Sequence, residues 1–473
     1  MAKVFLIHPY VPMELQYGSK YRWAGAVLPP LGILYVAAVL EKAGHTVEVL
    51  DANALQTAAA DVVKRVSAAA PDVVGMTGTS LSFGENLVIA RLLKEVKPDL
   101  PIVLGGVHAQ GSPDVAVSYG CFDYVVPNEG EQTMLDLVNA VADGRDPKTC
   151  VEGLYYLDND NKPQSTGAGH LVDDLDTLPF PARHLLPDMG LYHQKSFGYR
   201  LRPHTTMFTQ RGCPYRCTFC SSSKQFREVF NKKIRVHSID YVKEELAHLQ
   251  KNWGIKEIYF ADDTFNLRKK RVHEFCDMLI ENFPDLKWSC NFEANICDED
   301  LLRHMREAGC WLIQIGVETG NADVMKVIDK GITLDQVRYT TDMAARHGFA
   351  IKTSFILGNP TETPETVEET IRFAQSLPVH YVTFSMMAPL PGTYFWNTAD
   401  KYGVFDRTAY DKFSMASAAF VPNGLTADYL RKKQQEAHRR VYLRLDMVRR
   451  HMKMIRSAED VMRYAKGAAT LVL

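Results

Sequence analysis

Thr205-Thr-Met-Phe-Thr-Gln-Arg-Gly-Cys-Pro-Tyr-Arg-Cys-Thr-Phe-Cys220 joins a short strand-like run to a loop carrying three cysteines in the spacing Cys-x3-Cys-x2-Cys. Iron–sulfur clusters are held by thiolates. On one short loop, Cys213, Cys217 and Cys220 can bind three irons of a [4Fe–4S] cube and leave the fourth open to a small chelating ligand. Gly212 and Pro214 bracket Cys213 and favour a tight loop directly after the strand Thr205–Gln210. The alternative occupant is structural zinc, which needs a fourth ligand. His204 and His237 are the nearest candidates, and neither stands at the short spacing of zinc loops.

Five more strand-like runs follow, Glu257–Ala261, Lys287–Glu293, Trp311–Val317, Ile351–Leu357 and Tyr381–Met386, with helical stretches between them. Six strand–helix units predict a partial (β/α)6 barrel whose reactive side lies at the carboxyl ends of its strands. The cysteine loop then stands at the barrel mouth. So do Tyr259-Phe-Ala-Asp-Asp-Thr-Phe265, Gly316-Val-Glu-Thr-Gly320 and Phe355-Ile-Leu-Gly-Asn-Pro-Thr-Glu-Thr363, each ending a strand. Taken singly, Asp262, Asp263 and Glu318 read equally well as strand-end carboxylates that satisfy neighbouring helix N-termini. Cys276, Cys290, Cys297 and Cys310 fall on different elements and read as small buried apolar residues, so a second cluster is not expected.

Ahead of the barrel, the same alternation runs through Val4–His8, Leu31–Ala43, Thr46–Leu50, Ala58–Ala70, Val73–Thr77, Asn86–Val96, Ile102–Gly105 and Asp123–Val126. It predicts an α/β fold with a doubly wound, Rossmann-like domain over residues 1–145. Residues 146–199, rich in Gly, Pro, Asp and Asn, read as a linker, residues 200–395 as the barrel and 396–473 as a helical C-terminal region. Within the last, residues 430–456 hold ten Lys or Arg against Glu436 and Asp446, with Val441, Leu445, Val448, Met452 and Ile455 at helical spacing. One basic amphipathic helix is expected there, packed on the barrel or touching a membrane surface or an anionic substrate.

The whole chain has 473 residues, 46% hydrophobic and 23% charged, which suits two or three folded domains and argues against wholesale disorder. Its 54 Lys and Arg against 56 Asp and Glu give no general affinity for nucleic acid. Nine cysteines in so long a chain do not form a disulfide framework. No run reaches the roughly 18 apolar residues of a membrane span, and no signal-length core opens the chain, so a cytoplasmic protein with reduced thiols is expected.

On the cysteine loop and the strand-end segments, residues 200–395 resemble the radical S-adenosylmethionine (SAM) superfamily. The resemblance implies that Phe219 packs against the adenine of SAM and that Asp262 and Asp263 receive its ammonium group. Glu318, Ser354 and Gly358 complete the implied site. It also implies that one electron from the cluster splits SAM into methionine and a 5′-deoxyadenosyl radical, which takes a hydrogen atom from substrate.

The N-terminal domain resembles the cobalamin-binding domain that precedes the radical module in one large subclass. The residues are Pro29-Pro-Leu-Gly-Ile-Leu-Tyr-Val-Ala-Ala-Val-Leu-Glu-Lys-Ala-Gly44, Asp51, Thr79-x-Leu81, Gly105-Gly106 and Val126-Pro-Asn-Glu-Gly-Glu131. Thr77, Thr79 and Ser80 offer hydroxyls, Gly105 and Gly106 allow close backbone approach, and Glu129 lies in the closing turn. The Asp-x-His-x-x-Gly element by which many cobalamin proteins supply a histidine to cobalt is absent from the first 150 residues. His8, His45 and His108 read as satisfied polar residues at strand ends. The subclass implies a cobalamin-dependent methyltransferase acting on an unactivated carbon of a small or lipid-like molecule, with hopanoids and tetrapyrroles both fitting, and a donor such as flavodoxin or ferredoxin. An oxidative cyclase or hydroxylase of the anaerobic tetrapyrrole type is the alternative chemistry. A cobalamin carrier or sensor is the alternative class, which the intact cysteine loop disfavours.

Overall fold

The computed structural model describes residues 1–192, 198–223 and 234–472. Strands Lys3–His8 (β1), Thr46–Asp51 (β2), Val73–Thr77 (β3), Ile102–Gly105 (β4) and Tyr124–Val125 (β5) pair in parallel in the order β2-β1-β3-β4-β5. Unbroken apolar runs such as Val4-Phe-Leu-Ile7, all buried, suit strands covered on both faces. Helices Leu31–Lys42 and Gly130–Ala142 supply the core on one face, and Ala59–Ala69 and Phe83–Val96 supply it on the other. The strand order reverses between β1 and β3. A crevice beyond the carboxyl ends of the strands is expected at such a point.

Residues 146–199 are more than the expected linker. Tyr155–Leu157 (β6) and Pro163–Ser165 (β7) form an antiparallel hairpin that extends the sheet beyond β5. Their turn is built by Asp158, whose carboxylate accepts from the N–H groups of Asp160 and Lys162. Further on, the fully buried Arg183 donates to Glu245 at 2.7 Å and to the Thr206 carbonyl at 3.0 Å, fixing this segment to the barrel.

The barrel opens with His204–Met207 (β8), a short continuation Gln210–Arg211 (β9) and its antiparallel partner Arg235–Val236 (β10). Glu257–Phe260 (β11), Lys287–Asn291 (β12), Cys310–Glu318 (β13), Ala350–Leu357 (β14) and Tyr381–Met386 (β15) follow. All pairings in the series β8-β11-β12-β13-β14-β15 are parallel, which gives the expected six-stranded open barrel. The period-two alternation turns Gln314, Gly316 and Glu318 of β13, Lys352 and Ser354 of β14, and Thr383 and Ser385 of β15 into the lumen. The residues between them pack under the helices.

After an antiparallel ribbon, Gly403–Phe405 (β16) with Phe420–Pro422 (β17), the chain ends in helices Ala427–Tyr442, Leu445–Met454 and Ala458–Val472. The single basic helix expected over 430–456 is broken at Leu443-Arg444, where Arg444 adopts extended backbone and its side chain is held by Asp446 and the Gln375 carbonyl. The break lets the first helix follow the open edge of the barrel. The β15 amides of Val382 and Phe384 donate to Tyr442 and His438, and Gln434 donates to the Phe384 carbonyl at 2.6 Å, so the exposed edge is satisfied by side chains. Of the expected apolar stripe only Val441 is buried. Leu445 and Met452 are 76% and 65% exposed, with Val448 and Ile455 beside them in solvent. No helix among the described residues is long and apolar enough to cross a membrane.

Candidate cluster and cofactor sites

At the barrel mouth a cavity of about 380 Å³ is lined by Cys213, Cys217 and Cys220 together with Phe219, Asp263, Glu318 and Ser354, so seven of the residues singled out from the sequence meet there. Gly212 takes φ +99°, the left-handed conformation that glycine reaches without strain, and turns the chain from β9 into the loop. Successive turns, Cys220 N–H to the Cys217 carbonyl and Ser223 N–H to the Cys220 carbonyl, both at 3.2 Å, shape the rest. Thr218 pins it from outside, donating to the Ile328 carbonyl and accepting from Phe395 N–H. Burial raises all three thiols, Cys220 to about 12, so metal loading must displace protons.

Among the described residues no three His, Cys, Asp or Glu side chains converge on a point where one metal ion could sit. A zinc site would need the three thiols to converge with a fourth ligand, whereas a cubane takes each thiolate on a different iron. The two candidate zinc histidines are also committed elsewhere. His204 stacks on Tyr199 with ring centroids 4.6 Å apart, and His237 pairs with Asp176 at 3.2 Å.

Two expected cofactor residues lie outside this cavity. Asp262 is fully buried and turned back into the barrel, where it accepts from Thr209 N–H at 2.6 Å, from the Thr209 hydroxyl and from Gln210 N–H at 3.1 Å. It ties the end of β11 to the link between β8 and β9 and so positions the cysteine loop, while Asp263, next along the chain, faces the cavity. Gly358, at φ +86°, packs under Leu430, and its N–H donates to Glu362 at 2.7 Å.

Other lining residues carried no signal of their own in the sequence. Lys330 reaches the cavity from beyond β13 and pairs with Glu293 at 3.0 Å, both side chains less than 10% exposed. Burial opposes its charge, but Glu293, Cys217 and Glu318 together hold its pKa above the ordinary lysine value. Glu318 is presented by a register shift in β13 and by left-handed backbone, φ +69°, a conformation costing about 1 kcal/mol or more in a non-glycine residue. Burial raises its carboxyl to about 7 against the pull of Lys330.

Glu362, which holds Gly358 and Asn359, gives a stability test of this strand end. Burial raises its carboxyl from 4.5 to about 7 despite hydrogen bonds from Asn359 and Gly358. Between those values the folded chain keeps a proton that the unfolded chain has released. Its contribution is therefore complete below pH 4.5 and lost as pH rises through 7, with a slope of at most about 1.4 kcal/mol per pH unit. Thermal unfolding of cluster-free protein should show the wild type losing midpoint relative to Glu362→Gln as pH climbs from 4.5 to 7. Parallel pH curves for the two would contradict it.

A second cavity of about 380 Å³ occupies the crevice at the β1/β3 reversal. Leu6, Gly75, Thr77, Gly105, Gly106 and Glu129 line it from the N-terminal sheet, and Phe208, Gln210, Arg211, Gly212 and Asp263 from the barrel. Asp263 lines both cavities. A Cβ on Gly75 would come within 2.6 Å of Leu6, and one on Gly106, at φ +92°, within 2.7 Å of the Gly78 backbone. Thr79 and Ser80, expected at this edge, face away: Thr79 bonds Ser82, and Ser80 bonds His108 at 3.1 Å. Among the described residues, no histidine lines the crevice. His8 is held by Asp51 at 2.9 Å, His45 by Ala2 N–H and Asn139, and His108 by Ser80 and by stacking on Phe83 at 3.9 Å. Glu129 lines the wall, yet its oxygens are already taken by Arg235, Arg211 and Val172 N–H, which hold its pKa near 2 against burial. Arg211 also donates to Glu131 at 2.6 Å. The residue immediately before Gly212-Cys213 is thus clamped to the closing turn of the N-terminal domain.

Residues 207–374 match the radical SAM superfamily, and residues 23–138 match the B12 binding domain. The chain is 34% identical over 443 residues to an uncharacterized methyltransferase of Pyrococcus horikoshii, covering 93% of each chain. It is 28% identical over 455 residues to the anaerobic magnesium-protoporphyrin IX monomethyl ester cyclase of Rubrivivax gelatinosus, covering 93% of this chain and 77% of the relative. The chain belongs to the radical SAM superfamily, in the branch whose radical module follows a B12-binding domain. Two solved structures share the fold at 18% identity. They are the radical enzyme OxsB with aqua-cobalamin and SAM bound, TM-score 0.75 over all of this chain and 71% of OxsB, and TsrM of Kitasatospora setae with cobalamin and a [4Fe–4S] cluster bound, TM-score 0.69 over 95% and 90%.

Its cofactors are accordingly a [4Fe–4S] cluster, SAM and cobalamin, and its chemistry takes a reductant and a small-molecule substrate. The residues present fit these groups. Three thiols share one cavity wall beside an aromatic ring and carboxylates, and the crevice is lined by Gly75, Gly105 and Gly106, a Cβ on Gly75 being close enough to crowd Leu6 and Met134 on the same wall.

Proposed function

We propose that this chain is a cobalamin-dependent radical methyltransferase acting on an unactivated carbon of a small or lipid-like molecule, a hopanoid or tetrapyrrole being the kind of substrate that fits. The observation that carries this reading is the shared wall. Asp263 lines both cavities, and Gly212, which lines the crevice, adjoins Cys213 of the cluster cavity, so a methyl source and a radical source would meet at one substrate. Bound SAM and cobalamin supply the radical and the methyl group. Cys213, Cys217 and Cys220 would hold the cluster, Asp263 an ammonium group, Phe219 the adenine face, and Glu318 and Ser354 the remaining polar edge of SAM. Thr77, Gly105 and Gly106 would seat the corrinoid, while Asp262 and Glu129 position the loop and the domain contact. We take residues 1–145 as the cobalamin-binding unit, 200–395 as the radical core and 396–473 as the helical tail, with 146–199 packed between the first two. A flavodoxin or ferredoxin would deliver the electron in the cytoplasm. The exposed Leu445, Val448 and Met452, interleaved with Arg449 and Lys453, support contact with an anionic membrane surface.

Oxidative cyclisation is the second reading, favoured by the 28% identity to the cyclase over nearly the whole chain. The test is anaerobic incubation of reconstituted protein with reductant, SAM and extract of its own organism. Formation of 5′-deoxyadenosine together with S-adenosylhomocysteine is the expected outcome. Deoxyadenosine alone would favour the cyclase chemistry, and neither product would sink the enzyme assignment.

A further inference from the structure

We propose that Lys352 is the receptor for an oxyanion on the methyl acceptor, so that the substrate carries a carboxylate or phosphate group. The substrate role rests on the methyltransferase reading above.

Lys352 lies on β14 two residues before Ser354, which sets it about 7 Å deeper in the lumen. It lines the same cavity as the three cysteines, beside its register partner Gln314 and near Thr383. Tyr381, its register partner on β15, stands beside it, and Leu312 and Ala350 pack beneath with Trp311. Lys352 thus stands at the deep end of the chamber.

What sets it apart is the lack of a counter-charge. The buried cations of the chain's described residues are matched: Arg183 to Glu245 at 2.7 Å, Lys330 to Glu293 at 3.0 Å, and Arg235 to Glu129, whereas the half-buried Lys352 faces the lumen. Lys352 makes no hydrogen bond or ion pair among the described residues, and burial alone acts on it, drawing its pKa below the ordinary lysine value. Desolvating an ammonium group without a partner is unfavourable, and methionine or leucine would avoid that cost. Lys330 already serves the carboxylates and the thiol on the cluster side. Lys352 makes no ion pair with these carboxylates among the described residues, so its charge is left for something that enters the chamber. Gln314 and Thr383 offer an amide and a hydroxyl to the remaining lone pairs of a trigonal or tetrahedral oxyanion.

The experiment uses cluster-loaded, SAM-bound protein with octanoate and octyl phosphate as probes. Binding is followed by 13C and 31P line broadening, and SAM affinity is measured separately by equilibrium dialysis. Wild type should bind one probe, its identity deciding between carboxylate and phosphate. Lys352→Met should weaken that probe about tenfold or more, and Lys352→Arg should restore it to within about threefold, as charge recognition requires. If Lys352→Met lowers iron content, Lys352→Gln replaces it, since a polar amide preserves the lumen. Equal probe binding by wild type and both neutral variants, or no probe binding by wild type, overturns the proposal. A tenfold loss of SAM affinity in Lys352→Met also overturns it, by assigning the ammonium to the SAM carboxylate. The methyltransferase reading fails separately, through absence of S-adenosylhomocysteine in wild-type turnover.

Discussion

Cys217→Ala should abolish reductive cleavage of SAM, with 5′-deoxyadenosine falling by about a thousandfold or more, because the hard chemistry belongs to a cofactor the variant can no longer hold. Cys217 is the most buried of the three cysteines by exposed surface, and Thr218 beside it is the residue that fixes the loop to both the Ile328 carbonyl and Phe395. Alanine removes the sulfur without disturbing those backbone bonds, so the fold should survive. Iron analysis of reconstituted wild type should give about four irons per chain, and the variant should give far fewer. Cys276, Cys290 and Cys310 are fully buried in the barrel core and cannot recruit a substitute cluster. Cobalamin uptake should persist, since the N-terminal sheet supplies one wall of the crevice and alanine at 217 leaves the backbone of Arg211 and Gly212 in the other wall unchanged. Retained deoxyadenosine formation would show that these cysteines are not the cluster ligands. Eight irons in the wild type would point to a second cluster.

The architecture was legible because both sheets are built from buried parallel strands. Their apolar runs, punctuated by Gly and Pro, appear in sequence as discrete units, and β3, β4 and β15 fall at the very residues the pattern marks. The β6–β7 hairpin was hidden because its strands are short and largely in solvent, so no apolar run announces them. The broken tail was hidden for a different reason. Helical periodicity continues across Leu443-Arg444, and only the barrel edge it must cover dictates the break. Within the site, the cysteine spacing is self-contained and could be read directly. Side-chain direction could not. Asp262 and Asp263 are chemically equal neighbours at the end of β11, and only the fold decides that one faces the core and the other the cavity. Thr79 and Ser80 likewise carry suitable hydroxyls that local partners consume. Lys330 and Lys352 come from a loop and from mid-strand, where a lone lysine ordinarily signals solvent.

Gly106→Val should eliminate cobalamin retention, weakening it by about a hundredfold or more, or about 2.7 kcal/mol. Gly106 holds φ +92°, and even a Cβ there would stand 2.7 Å from both the nitrogen and the oxygen of Gly78 and 2.9 Å from the Thr77 hydroxyl. Those neighbours are backbone and a strand-end side chain, so they cannot swing aside as a flexible side chain would. A branched residue must therefore push the β4 turn into the crevice it borders, which shrinks the berth and displaces Thr77 from its wall. The sheet core below, anchored by Val74, Ile102 and Leu104, is left intact, and circular dichroism should confirm folding. The same crevice sets the state of the bound cofactor in wild type. Since no histidine among the described residues lines it and His8, His45 and His108 are each engaged elsewhere, cob(II)alamin should show no nitrogen superhyperfine splitting in electron paramagnetic resonance, with its dimethylbenzimidazole tail detached from cobalt. A weakly ligated cobalt gives up a methyl group more readily than one held by an axial nitrogen. Visible spectra after gel filtration measure retention in the variant. Full retention by Gly106→Val would place the cofactor elsewhere on the chain, and a nitrogen pattern in the wild type would show that a histidine or the tail reaches cobalt after all.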